Sequence, residues 1–150
     1  PRDRRQRQMC IRDRNNSETL LVSAKIESEI SQISDIEEKK MFLDSMGLKE
    51  TGLKRVIKKG YALLNYINFF TAGEKELRAW TISKGTLAPS AAGEIHTDME
   101  KGFIRAETIS YEDYIEYNGE SGAKEKGKLR LEGKEYEVND GDVMHFLFNV

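Results

Sequence analysis

Gly122-Ala123-Lys124-Glu125-Lys126-Gly127-Lys128-Leu129 carries the glycine spacing and the lysine of a loop that cradles phosphates. Such a loop also needs a Ser or Thr hydroxyl for Mg²⁺ directly after its lysine, and it must leave a buried strand. Leu129 stands where the hydroxyl belongs, and Asn118-Gly119-Glu120-Ser121 precedes the octet in place of an apolar strand. The octet reads as a chance match. His96 and His145 are the only histidines, and a zinc site needs three or four ligands, so no metal site is expected. His145 alternates within an apolar strand and reads as structural. His96, with Asp98, falls at a helix end, where the dipole favours a cation. Glu112, Asp113 and Glu116 cluster around Tyr111, Tyr114 and Tyr117. Paired carboxylates do acid–base chemistry only in a pocket that lifts one pKa. A solvated loop or strand edge is the expectation for this cluster, and no catalytic residue is assigned.

Two groups of cations remain. Lys54, Arg55, Lys58 and Lys59 form a stripe at helical spacing, either a solvated face or a contact for RNA phosphates. Lys124, Lys126, Lys128 and Arg130 alternate, so in an extended strand they would share one face that could meet rRNA.

The elements that must position these residues begin after an anomalous start. Residues 1–14 hold six arginines, two aspartates and no periodic apolar face. A disordered basic arm and an RNA-binding tail are two readings. The string from Arg4 to Asp13 also resembles one reading frame of a transposase adapter used in sequencing libraries. On that reading 1–14 is a cloning or assembly artefact, set aside from the fold. Without it, Lys+Arg falls from 24 to 18 and Asp+Glu from 26 to 24, so the net charge moves from −2 to −6. An acidic body disfavours broad adhesion to nucleic acid and leaves room for a local basic face. Charged residues at 33% and apolar residues at 38% describe a globular chain. No apolar run approaches the ~20 residues that span a bilayer, so no membrane partner is expected. The single cysteine, Cys10, excludes an internal disulfide framework and suits a reducing compartment, with the cytoplasm as the default.

Residues 19–23 form an apolar run long enough for a buried strand, followed by Ile26, Ile30 and Ile33 at helical spacing. Ser34 and Glu37 have capping-box spacing and open a second helix, which Gly47 closes. A third helix starts near Thr51, with Leu53, Val56, Ile57, Tyr61 and Leu64 on one face. From Asn65 strands take over. Residues 67–70 and 77–82 flank a polar tip and read as a hairpin. Ala88-Pro89 opens a helix with Ala92, Ile95 and Met99 on its buried face, ended by Gly102. Residues 103–109 are a further strand. Leu129 and Leu131, then Tyr136 and Val138, alternate as paired strands, and Asn139-Asp140-Gly141-Asp142 turns into a last strand at 143–148. This order fits an α+β, β-grasp (ubiquitin-like) sheet clasping one helix.

Three stretches resemble one family. Phe69-Phe70-Thr71-Ala72-Gly73-Glu74-Lys75-Glu76-Leu77-Arg78-Ala79-Trp80 resembles the opening of the TGS domain of YchF, the Obg-like ATPases. Ala91-Ala92-Gly93-Glu94-Ile95-His96-Thr97-Asp98 with Gly102-Phe103-Ile104-Arg105-Ala106-Glu107 is similar to its helix and next strand. Leu131-Glu132-Gly133-Lys134-Glu135-Tyr136, then Asp140 to Phe146 and Phe148-Asn149-Val150, resemble its C-terminus. The resemblance runs from about residue 19 to residue 150 and is most specific in the second half. It implies a P-loop NTPase of the translation-factor class that hydrolyses ATP, and GTP less well, with Mg²⁺, and that associates with ribosomes. Ser23-Ala24-Lys25 resembles the fifth GTPase motif, whose backbone amides approach the purine base.

The resulting expectation assigns 15–64 to the end of a G domain, a strand plus helices, and 65–150 to a TGS domain. The chain is then a C-terminal fragment that lacks the phosphate loop and holds no nucleotide stably by itself. Its TGS domain contacts ribosome, RNA or protein, and the missing N-terminal G domain is a further partner. The rival is a free-standing β-grasp RNA- or ribosome-binding module with no enzymatic parent. A small-molecule enzyme lacks any convergent catalytic set.

Overall fold

The computed structural model describes residues 19–73 and 76–149. Segment 1–14 with Cys10, residues 15–18, Glu74, Lys75 and Val150 lie outside them. The chain divides into two compact units between Gly60 and Tyr61.

The first unit is helical among its described residues. Residues 19–23, expected as a strand, are coil. A strand requires a hydrogen-bonded neighbour, and the described part of this unit offers none. Helix α1 (Ala24–Gln32) starts at Ser23, and α2 (Ile36–Ser45) follows a short break. The cap of α2 is Asp35, one residue beyond the expected Ser34, because its carboxylate accepts from Glu38 N at 2.8 Å. A charged acceptor outcompetes a hydroxyl there. Gly47, at φ +67°, lets the chain leave α2 by a left-handed turn. Helix α3 (Gly52–Leu64) is amphipathic in sequence, yet Leu53, Val56 and Ile57 are exposed. Among the described residues of this unit, Ile30 is the buried large apolar side chain, at 2% exposure.

The second unit is α+β, built on a five-stranded sheet. Its strands are β1 (Tyr66–Ala72), β2 (Leu77–Ser83), β3 (Phe103–Ser110), β4 (Arg130–Glu132) and β5 (Asp142–Phe148), in the order β2-β1-β5-β3-β4. β1 and β2 pair antiparallel from Tyr66↔Ser83 to Ala72↔Leu77. β5 joins β1 in parallel at Phe70↔Val143 and runs antiparallel to β3, which carries β4 on its far edge. Asn65, at φ +58°, makes the turn from α3 into the sheet.

Helix α4 (Ala88–Ile95) lies over one sheet face with Ala88, Ala91 and Ala92 fully buried. Such small side chains let the helix backbone approach Phe69, Ile82, Met144 and Phe146 closely. Phe69 and Phe146 meet edge to face at 5.8 Å between ring centroids.

Several expectations need correcting here. The helix expected to run to Gly102 breaks at His96, whose extended backbone (φ −160°, ψ 138°) separates α4 from α5 (Thr97–Lys101). His96 is the C-cap residue of α4 and also the N-cap of the second segment, its Nδ1 accepting from Asp98 N at 3.2 Å. Residues 111–116, expected as loop or strand edge, form α6 (Tyr111–Glu116), because the Ser110 hydroxyl accepts from Asp113 N and donates to its carboxylate. Residues 120–125 form α7 (Glu120–Glu125), anchored by fully buried Ala123. Residues 136–138 do not pair with β4; only Glu137 bridges, to Leu87, while β4 pairs with β3.

Candidate interaction sites

Ser23-Ala24-Lys25 lies at the coil-to-helix junction of the first unit. The Ser23 hydroxyl turns back to Ile26 N at 3.5 Å, Ala24 is the first helical residue, and Lys25 extends into solvent opposite Glu29. The triplet is exposed, with no strand behind it. What holds this junction is a residue that sequence reasoning missed. Glu27 accepts from the N–H groups of Gly52 at 2.7 Å and Leu53 at 3.2 Å, the first amides of α3. Those amides have no intrahelical partner, and the dipole at that end favours an anion. Arg55 adds a bond from Nη1 to Leu21 O at 3.3 Å. A Cβ on Gly52 would come within 2.8 Å of both Glu27 Oε1 and Val22 Cγ1, so the absence of a side chain there permits the contact.

The first basic group stays on one helix. Lys58 pairs with Glu50 at 2.7 Å, and that hydrogen bond holds the Glu50 carboxyl below its usual range. Lys54 and Lys59 occupy exposed positions.

The second basic group does not form a single strand face. Lys124 sits in α7 and Lys126 caps its end, and Gly127 at φ +69° then turns the chain. Lys128 reaches Asp113 at 3.2 Å. Hydrogen bonds from Ser110 and then Lys128 lower the Asp113 pKa. The glycine-spaced octet is thus the end of a helix and a turn, preceded by α6 and not by a strand.

Arg130 enters a polar cluster under the β4–β5 end of the sheet. Asp142, 3% exposed, accepts from Tyr136 Oη at 2.7 Å, Asn139 N at 2.9 Å and Arg130 Nη2 at 3.2 Å. A carboxylate this deep requires such partners. Burial first, then the bond to Asp142, pushes the Tyr136 hydroxyl pKa up. Burial works against the Arg130 charge, but Tyr136 and Asp142 outweigh it and raise its pKa.

A groove of about 360 Å³ opens on the helix-bearing face of the sheet near the hairpin end, walled by Arg78, Trp80, Ile95, Met99 and Phe148. Trp80 Nε1 donates to Thr71 Oγ1 at 3.0 Å, and the Arg78 guanidinium lies 4.5 Å above the indole centroid. Sequence reasoning missed this pair as a site. The signal available was the lone tryptophan two residues from an arginine, which the period of a strand puts on one face. Among the described residues, no group of three or more His, Cys, Asp and Glu is arranged for a metal, and no helix is long and apolar enough to cross a membrane.

Residues 66–149 match the family described as YchF-GTPase_C, protein of unknown function (DUF933). The chain is 66% identical over 129 residues to the protein named ribosome-binding ATPase YchF of Haemophilus influenzae, covering 86% of this chain and 35% of that protein. The protein of the same name from Escherichia coli O157:H7 is 59% identical over 140 residues, 93% of this chain and 38% of its own length. The chain therefore spans little more than a third of these relatives. Among solved structures, the Schizosaccharomyces pombe YchF GTPase superposes with a TM-score of 0.76 at 37% identity, over 95% of this chain and 37% of that one. A GTP binding protein from Pyrococcus horikoshii OT3 shares the fold with a TM-score of 0.62 at 19% identity, over 96% of this chain and 41% of that one.

Proposed function

The chain belongs to the YchF family, whose C-terminal region it matches, and on that premise we propose that it is the ribosome-contacting region of an ATP- or GTP-binding ATPase. The observation that carries this reading is the 66% identity to a relative whose name states both ribosome binding and ATPase activity. Residues 65–150 are the TGS domain in this reading. Its support is the strand order β2-β1-β5-β3-β4, with a parallel central pair and α4 crossing one face, the arrangement of a β-grasp. Residues 15–64 are the end of the G domain, and Ser23-Ala24-Lys25 is the purine-side loop of the assembled nucleotide site. Cytoplasmic residence goes with this assignment.

The octet 122–129 is not read as a triphosphate cradle. It turns its lysines outward from a helix end and places Leu129 where Mg²⁺ needs a hydroxyl. Nucleotide chemistry is accordingly assigned to the part of the parent N-terminal to this region, and this region supplies recognition. A phosphate backbone is met by Lys54, Arg55, Lys58 and Lys59 on α3, and by Lys124, Lys126, Lys128 and Arg130 around α7 and β4. Such contacts release counterions, so affinity falls steeply with salt.

Cosedimentation of the 150-residue chain with ribosomes tests the reading. Pelleting at roughly 50 mM salt that fades by roughly 200 mM is expected. No pelleting at the lower concentration would end it.

A further inference from the structure

The edge of the sheet at β2 is a second recognition feature, separate from the basic groups. β2 is the outermost strand, seven residues long, with no proline and no bulge in its pairing to β1. Long open edges invite another strand, and proteins ordinarily blunt them. The two ends of the hairpin fix which backbone groups face outward. Gly73 N donates to Glu76 O at 2.9 Å, and Lys84 N donates to Asn65 O at 2.8 Å. Counting by twos from either end, residues 78, 80 and 82 exchange ladder bonds with β1. The N–H and C=O groups of Leu77, Ala79 and Thr81 therefore point away from the sheet. All three residues are exposed.

Side chains on this edge add a preference. Arg78 and Trp80 alternate onto the face that carries the groove, whose other walls include Ile95, Met99 and Phe148. Among the described residues no carboxylate pairs with Arg78; its guanidinium rests only on the Trp80 ring. A strand laid against β2 would place one side chain opposite Trp80, beside the groove, and a second, two positions away, opposite Arg78. The first position is apolar in its surroundings and the second is cationic.

We propose that the β2 edge binds an extended peptide segment of a partner protein, with an apolar side chain in the groove beside Trp80 and an acidic side chain two residues away at Arg78. Backbone bonds to Leu77, Ala79 and Thr81 supply affinity, and the two side chains supply selection. This surface does not depend on the ribosome reading, since it uses none of the basic residues invoked there.

The test is a titration of the 150-residue chain with decapeptides bearing Leu-x-Asp, Leu-x-Lys or a scrambled core, followed by amide and indole NMR shifts. The proposal expects saturable shifts at Leu77, Ala79, Thr81 and the Trp80 indole with Leu-x-Asp, and about fivefold weaker binding of Leu-x-Lys. Ala79→Pro, which removes an outward N–H, should abolish the shifts. Should that variant lose its dispersed spectrum, Arg78→Glu decides independently, because it should reverse the preference to Leu-x-Lys. No shifts at about 1 mM peptide, an affinity below that of ordinary weak recognition, would overturn the proposal. So would an unchanged preference in Arg78→Glu, or a dimer of this chain that Ala79→Pro dissolves. Displacement of shifts at the same amides by oligouridylate alone would reassign the edge to RNA and equally refute it.

Discussion

Glu27 Oε1 lies 2.7 Å from the amide nitrogen of Gly52, twenty-five positions further along the chain. The contact makes a residue of α1 the N-terminal cap of α3. The Glu27 backbone N–H also donates to Ser23 O at 3.0 Å, which ties the cap to the first residue of Ser23-Ala24-Lys25. The link from sequence to site thus passes through a carboxylate that looks, in sequence, like an ordinary solvated helical residue.

Replacing Glu27 with Ala should remove a charge-assisted cap and leave two amides unpartnered. The expected loss is about 1–2 kcal/mol in the first unit, the usual scale for a helix cap. Amide exchange at Gly52 and Leu53 should accelerate, with strands β1 and β5 unaffected. Gly52→Ala should reproduce the effect by forcing Glu27 and Val22 aside. Unchanged exchange at both amides in Glu27→Ala would show that the contact contributes nothing.

The two units should also differ in the absence of any mutation. Unit 61–149 has a continuous core of Phe69, Ile82, Phe103, Met144 and Phe146, whereas the first unit buries Ile30 and exposes Leu53, Val56 and Ile57. Local stability follows buried apolar contact. Exchange of β1 and β5 amides should be slow and reflect global unfolding, and exchange in α1 and α2 should be faster by orders of magnitude. Equal protection of the two would contradict this ranking.

The sheet was legible in the sequence because its signals are local. Alternation in β5, the turn at Asn139-Asp140-Gly141-Asp142, and Pro89 at a helix start each act over a few residues. The errors fall where a distant or competing partner decides. Residues 19–23 have the composition of a strand but, among the described residues, no neighbour to pair with. The alternating lysines at 124–128 suggest an extended chain, but buried Ala123 and the turn at Gly127 commit them to a helix end. Tyr111 to Glu116 looks like a solvated edge until the Ser110 cap is counted, a three-residue spacing to Asp113 that sequence alone displays. The Asp142 cluster draws on residues 130, 136 and 139, and no local pattern announces its burial.

That cluster predicts a response to alkali. The Tyr136 pKa is raised above its ordinary value of 10.0, by burial and by the bond to Asp142. A raised pKa means that the folded state favours the protonated hydroxyl. The stabilisation is therefore complete below about pH 10 and is lost as pH climbs through the folded value. Tyr136→Phe should cost about 1–2 kcal/mol at neutral pH, since it strips a donor from a buried carboxylate. The same variant should flatten the fall in stability above pH 10. Tyr117, whose pKa is also raised, by Glu116 first, adds its own slope, so Tyr117→Phe is the needed control. A full alkaline transition persisting in Tyr136→Phe but not in Tyr117→Phe would place the effect at the wrong tyrosine.

The basic residues separate into those held by carboxylates and those that are not, and ribosome binding should sort them the same way. Lys58 is held by Glu50, Lys128 by Asp113, and Arg130 by Asp142 and Glu132. A phosphate must displace those partners before it can use the cation. Lys124 and Lys126 are exposed and pair with no carboxylate within 4 Å among the described residues. Reversing both to Glu should weaken ribosome association and lower the magnitude of its log–log salt slope by about 1 for each phosphate that is no longer neutralised, with melting unchanged. Reversing Lys128 and Arg130 should instead lower the melting temperature first, because Asp113 and buried Asp142 would face a like charge. Cosedimentation across a salt series, beside thermal melts of the same variants, reads both quantities. Undiminished binding with Lys124 and Lys126 both reversed would remove α7 from the interface and leave α3 as its remaining basic surface.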